Sequence, residues 1–187
     1  MADGTARRRQ LLMLAPFGAA IAVGAGFWEM LAGMNSGRFD PHDIHAPAQG
    51  RRVPAFDLPA QPPGQGFSSA ELSAQRQPVL VNFFASWCVP CVVEGSALVG
   101  LSRRLPIWGI AYKDKPADAQ GFVSRTGSPY RRLAADRSGM TAIDWGVSGV
   151  PESFLIAPGG LITWHIAGPL DEGTIEAGLL PALRKLA

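Results

Sequence analysis

The chain has 187 residues, 47% hydrophobic and 17% charged, which suits one packed domain with an appendage and argues against global disorder. Its formal net charge of +2 is accounted for by Arg7, Arg8 and Arg9 against Asp3, so everything after residue 10 is formally neutral. Later basic pairs, Arg103/Arg104 and Arg131/Arg132, are flanked by apolar residues and read as solvated helix or loop positions, so no nucleic-acid partner is expected.

Arg7–Arg9 precede an apolar run, Leu11–Trp28, that meets no charge until Glu29. As a helix of ~1.5 Å rise per residue, that run spans ~27 Å, close to the hydrocarbon thickness of a bilayer. The cationic flank predicts an N-terminus that stays cytoplasmic, with the remainder across the membrane. The expected organisation is a cytoplasmic N-terminus (1–10), a transmembrane signal anchor (11–34), a linker (35–50) and a domain (51–187). Three rival readings of the N-terminal segment compete with the anchor. Cleavage after Ala20-Ile21-Ala22 would fall inside the apolar run rather than after it. A lipoprotein site at Leu31-Ala32-Gly33 fails because Met34 stands where a cysteine is needed. Arg8-Arg9-Gln10-Leu11-Leu12 is an incomplete twin-arginine pattern, which an ordinary positive flank explains better.

Residues 35–66 carry Pro41, Pro47, Pro54, Pro59, Pro62 and Pro63, a linker composition merging into a first extended segment near 53–58. Val79–Phe84 is a short apolar, β-prone run suited to a strand buried on both faces. A helix is expected over 91–105, with Val92, Leu98, Leu101 and Leu105 as candidate buried positions. A second strand follows at 107–112, then a helix over 116–125 with Pro116 near its start. Phe154–Ile156 and Leu161–Ile166 flank Ala157-Pro158-Gly159-Gly160, a hairpin signal. Asp171 is placed to cap a closing helix over 172–186. Strand–helix alternation, then a hairpin and a final helix, predicts an α/β fold with a mixed sheet and helices on both faces.

The chemistry centres on the chain's two cysteines, in Trp87-Cys88-Val89-Pro90-Cys91. Cys88 stands where a buried strand turns into a helix, so the unpaired N–H groups and positive dipole of the first turn stabilise a thiolate there. Cys91, one turn on, can reach the same sulfur and should be the less exposed of the two. The expected cycle is attack by Cys88 on a disulfide and release of the mixed disulfide by Cys91. Pro90 has no N–H to lose at a helix start and biases the geometry of the pair. A structural staple is the weaker reading, because a two-residue gap closes too small a loop. A metal site pairing the cysteines with His42 and His45 matches in spacing, but nothing fixes the linker's approach to the pair. No metal and no cofactor beyond the redox-active disulfide is expected. Trp108, Trp145 and Trp164 read as packing residues, whereas Trp87 is expected to shield the active sulfur. His165, on an apolar strand, reads as a satisfied core or edge histidine.

Phe83–Cys91 resembles the active-site segment of membrane-anchored thioredoxin-like proteins. Gly146-Val147-Ser148-Gly149-Val150-Pro151-Glu152-Ser153-Phe154-Leu155-Ile156 is similar to a signature of the cytochrome c biogenesis thiol–disulfide interchange proteins, the CcmG/DsbE family, related to TlpA. Gly109–Asp114 and Trp164–Leu170 look like its strand-end segments, and the resemblance covers about residues 50–187. It implies a thioredoxin-like fold with Pro151 as a cis-proline facing the cysteines. Val150 would then present its backbone to a substrate chain around its disulfide. Glu94 and Glu152 would lie near the active site, where a negative charge raises the Cys88 pKa or moves protons. Asn82 stands where thioredoxin itself carries a buried acid, so another group must shuttle protons there. Tyr112, Lys113 and Asp114 read as strand-end structure. Ala157 departs from the family's acidic turn residue, which concerns the hairpin more than the chemistry.

The resemblance further implies a reductant in the inner membrane, its catalytic domain in the periplasm. Its expected partners are apocytochrome c or haem-ligation assembly factors, and a membrane thiol–disulfide electron transporter. A general periplasmic reductase, a disulfide-forming oxidase and a metal- or haem-binding module remain the rivals. The sixty positions from Cys91 to Pro151 leave little room for the helical domain that the best-known oxidases insert there.

Overall fold

A computed structural model describes residues 18, 21, 23–29, 32 and 49–186. The chain divides into two units, Met1–Ile44 and His45–Ala187. Residues 1–10 and most of 11–48 lie outside the described set, and with them most of the expected anchor, the linker, His42 and His45. Those described within 11–34 are helical, and no described helix is long and apolar enough to cross a membrane.

The second unit opens with a small antiparallel pair, β1 (Asp57–Leu58) and β2 (Phe67–Ser68), and a short helix, α1 (Ser69–Ser73). Ser68 and Glu71 form a reciprocal capping box that satisfies two N–H groups at the start of α1. The main sheet then builds around β3 (Val79–Phe84), all six residues of which are buried. β4 (Ile107–Tyr112) pairs parallel to it, and β5 (Tyr130–Asp136) extends the parallel half. β6 (Glu152–Ala157) and β7 (Leu161–Ala167) form the hairpin and pair antiparallel, giving the order β5-β4-β3-β6-β7. This is the expected mixed sheet; β5 was not foreseen, because its Arg131 and Arg132 interrupt the apolar pattern.

Helices α2 (Val89–Leu101), α3 (Pro116–Thr126) and α4 (Met140–Trp145) alternate with the strands. The closing segment is not one regular helix. A turn capped by Asp171, α5 (Glu172–Thr174), passes into a π-helical stretch (Ile175–Leu179) and then α6 (Leu180–Arg184). Alternate residues of β3 point to opposite faces. Val79, Val81 and Phe83 pack with Phe67, Trp145 and Phe154 on one side. Leu80 packs with Leu98, Leu101, Ile107, Leu155 and Leu179 on the other. Phe84 joins Phe122, Val123 and Leu133 around the cysteine end of α2.

The buried face of α2 is Cys91, Glu94, Gly95, Leu98 and Leu101, an i, i+3, i+4, i+7, i+10 stripe. Val92, expected inside, is 53% exposed, and Val93 is exposed beside it. Leu98, Leu101 and Leu105 are buried as expected; Val92 alone is not, and the buried position in that turn of the helix is held by the Glu94 carboxylate. The helix also ends at Leu101 rather than 105, since Pro106 closes the turn into β4.

Candidate active site

Cys88 is the N-cap residue of α2, and its sulfur accepts the Cys91 backbone N–H at 3.1 Å. The same contact would stabilise a thiolate once the pair is reduced. Cys88 and Cys91 are joined as a disulfide with their Cα atoms 5.3 Å apart. At 4% and 2% exposure, both lie nearly flush beneath the surface, so burial barely distinguishes them. Trp87 is 59% exposed, and its ring lies 6.4 Å from that of Tyr112 between centroids. Val89, exposed on the first turn of α2, adds to the apolar surface around the pair. Trp108 and Trp145 are buried, and Trp164 packs against the α2 side of the core.

Val150 and Pro151 are joined by a cis peptide bond, and the Val150 carbonyl oxygen lies 3.4 Å from Cys88 Sγ. A disulfide sulfur has no proton, so this is a close approach in the oxidised form. It brings an open backbone segment beside the reacting sulfur, the arrangement a target chain needs to pair alongside its own disulfide. Below the motif, Asp114 accepts Ser86 N–H at 2.6 Å, Ser86 Oγ–H at 2.8 Å and Lys115 N–H at 2.9 Å. That carboxylate ties the end of β4 to the loop between β3 and Cys88. Neighbouring Lys113 has φ 45°, a left-handed conformation that an L side chain adopts at a cost.

The two carboxylates singled out in the sequence take different positions. Glu94 is 1% exposed, one turn beyond Cys91 on the same buried stripe. Its two oxygens accept Asn82 Nδ2–H and Leu170 N–H, each at 3.0 Å. Asn82 also donates to Ser153 Oγ at 3.1 Å, while its Oδ1 accepts Tyr130 Oη–H at 2.7 Å. Burial pushes the Glu94 carboxyl up to about 7, against the opposing bonds from Leu170 and Asn82. Burial, together with the Glu94 charge, holds the Tyr130 hydroxyl well above its ordinary value. The strand position of thioredoxin's acid is thus occupied by an amide that orients a carboxylate supplied by the helix.

Glu152 is tied into the cis-proline loop. Its Oε1 accepts Ser148 N–H at 2.6 Å, Ser148 Oγ–H at 2.5 Å and Gly149 N–H at 3.1 Å. Its Oε2 lies 2.8 Å from His165 Nε2, and both side chains are nearly buried. Burial raises the Glu152 carboxyl, but the bonds from His165 and Ser148 outweigh it and hold the group below its usual range. His165 is thus the satisfied histidine expected on β7. Tyr130 and the pairing of His165 with Glu152 were not foreseen; Tyr130 opens the unpredicted strand, and no local spacing relates positions 152 and 165. Among the described residues, no group of three or more His, Cys, Asp or Glu could hold a metal.

Comparison with known proteins places this geometry in a family context. The Redoxin family model matches residues 48–179. The thiol:disulfide interchange protein HelX of Rhodobacter capsulatus is 40% identical over 174 residues, covering 92% of each chain. A DsbE homologue of Paracoccus denitrificans is 41% identical over 174 residues, covering 93% of this chain and 94% of that one. The crystal structure of a DsbE-type thiol:disulfide interchange protein from Chlorobium tepidum superposes with a TM-score of 0.59 at 25% identity. It covers 72% of this chain and 97% of its own.

Proposed function

Since this chain belongs to the Redoxin family, and within it to the thiol:disulfide interchange oxidoreductases of the DsbE/HelX kind, we propose that it is a membrane-anchored periplasmic reductant for cytochrome c maturation. The observation that carries the reading is the Cys88 sulfur at a helix N-terminus, 3.4 Å from the Val150 carbonyl. There a nucleophile and a backbone edge for a target polypeptide occupy one surface.

In the reduced protein, the Cys88 thiolate attacks one sulfur of the target disulfide. A mixed disulfide forms, and the other target sulfur leaves as a thiolate. Cys91 then attacks Cys88 Sγ, releasing the second target thiolate and leaving the Cys88–Cys91 disulfide. Two electrons have passed to the target. Cys91 must lose its proton to attack, and Glu94, one turn away with a carboxyl pushed up to about 7, is matched to receive it near neutral pH. Glu94 therefore serves the resolving cysteine, whereas Glu152 acts on the cis-proline loop.

The target would be the haem-binding cysteine pair of apocytochrome c or a haem-ligation assembly factor. Electrons would arrive from a membrane thiol–disulfide transporter. The names of the relatives, the cationic and apolar N-terminal sequence and the Gly146–Glu152 signature support this placement. In Cys91→Ser, resolution is blocked, so Cys88 should hold its target as a mixed disulfide. Capture of an apocytochrome or an assembly factor is expected; capture of unrelated proteins alone would overturn the dedicated role. The reduction potential should lie nearer about −270 mV than the about −120 mV of a strong oxidant. An oxidant-like value would reverse the proposed direction of electron flow.

A further inference from the structure

The pairing of β6 with β7 is irregular. Leu155 pairs with Trp164 but Ile156 with Ile162, so Thr163 is an extra residue in β7. Such a bulge reverses which face each following side chain occupies. Ile162 packs on the same core face as Phe154 and Ile156. With regular pairing, Trp164 would follow it onto that face, opposite Phe154, and His165 would point to the other side. The bulge instead places His165 opposite Phe154, with ring centroids 4.3 Å apart, and sends Trp164 toward Gly178 and the closing helix. His165 then lies diagonal to Glu152, because Glu152 pairs with Ala167 two residues on. A diagonal pair is within reach of long side chains, and these two meet at 2.8 Å.

The contact has one evident consequence. His165 holds one oxygen of Glu152, and the other gathers the Ser148 and Gly149 donors. The 146–150 segment is thereby fastened to the sheet immediately before the carbonyl that faces Cys88. We propose that His165, turned inward by the Thr163 bulge, is a positioning residue for target polypeptides. Acting through Glu152, it sets the backbone edge at Val150 against which the target chain pairs. It touches neither sulfur nor target, so its effect is confined to binding of a polypeptide and spares attack on a small disulfide that needs no backbone pairing. This inference rests on the disulfide-exchange reading above.

The test uses the full chain, with dithiothreitol as electron source for the polypeptide assay and pre-reduced protein freed of dithiothreitol for the small disulfide, which dithiothreitol would itself reduce. One substrate is a polypeptide disulfide, an oxidised peptide carrying the Cys-X-X-Cys-His haem-attachment sequence; the other is a small one, 5,5′-dithiobis(2-nitrobenzoate). Unaltered protein must reduce both, and failure there refutes the exchange reading rather than this one. His165→Ala should raise the KM for the peptide about tenfold with kcat within twofold, while the small disulfide is reduced within twofold of the unaltered rate. His165→Gln, whose amide N–H can occupy the place of Nε2, should restore the KM to within about threefold. In a Glu152→Gln background, His165→Ala should add less than twofold, because both changes cut one connection. Equal slowing of both substrates, no rescue by glutamine, or fully multiplying effects in the double variant would each overturn the proposal. Should His165→Ala fail to fold, the glutamine variant compared with Glu152→Gln and Ser148→Ala decides it. Glu152→Gln and Ser148→Ala must raise the peptide KM while the glutamine variant stays near the unaltered value, and any other ordering refutes it.

Discussion

Replacing Glu94 by glutamine should abolish a large, pH-dependent cost to the stability of the oxidised protein. In the unfolded chain this carboxyl titrates near its ordinary 4.5, whereas in the folded protein burial pushes it up to about 7. Between those values the folded state keeps a proton that the unfolded state has lost. Stability therefore falls as pH rises from about 4.5 to about 7, and the loss is complete above that. A separation of this size corresponds to about 3 kcal/mol. Glutamine has no charge to desolvate, so the variant should lack this slope. Its amide must replace one acceptor by a donor, which the network can absorb. Reversing the Asn82 amide turns Oδ1 toward residue 94 and the Ser153 hydroxyl, which then donates, and Nδ2 toward the Tyr130 hydroxyl, which then accepts. The assay is denaturant unfolding at pH 5 and pH 8.5, followed by tryptophan fluorescence. Relative to the unaltered protein, Glu94→Gln should gain about 2.5 kcal/mol between the two pH values, since part of the loss has already occurred at pH 5. A stability difference that is the same at both would refute the assignment of a shifted, buried carboxyl to Glu94.

Two further perturbations separate scaffold from surface. Asp114→Ala removes the acceptor for the Ser86 N–H and hydroxyl and should cost about 2 kcal/mol in unfolding free energy. A loss under about 0.5 kcal/mol would mean that this loop is held by other contacts. Trp87→Ala, by contrast, should change stability by no more than about 0.5 kcal/mol, since its ring is largely exposed. It should nevertheless weaken reduction of polypeptide disulfides, and unaltered kinetics with the haem-attachment peptide would remove the ring from the docking surface.

What the sequence by itself determined is mostly local. A β-prone run followed four residues on by a cysteine, with a proline two residues beyond it, places Cys88 at a helix N-cap, because strand end, cap and first turn lie within one short stretch of chain. The same holds for the Asp171 cap and for the Pro158–Gly160 turn, where Gly159 and Gly160 adopt the positive φ that their residue type permits. The Gly146–Glu152 stretch likewise carries the family resemblance, which singles out Val150 and Pro151.

Tertiary structure alone decided how the ionisable groups are used. A carboxylate one turn beyond Cys91 has the same sequence signature whether solvated or buried. It is buried because Leu170, Asn82 and Tyr130 converge on it from three other segments, and its protonation follows from that desolvation. For the same reason Val92, apolar and seemingly suited to the core, lies outside while Glu94 lies within. The pairing of Glu152 with His165 depends on one extra residue in β7. Side-chain direction along a strand alternates with period two, so a single insertion exchanges the faces. No pattern within β7 announces where the partner strand will place that bulge.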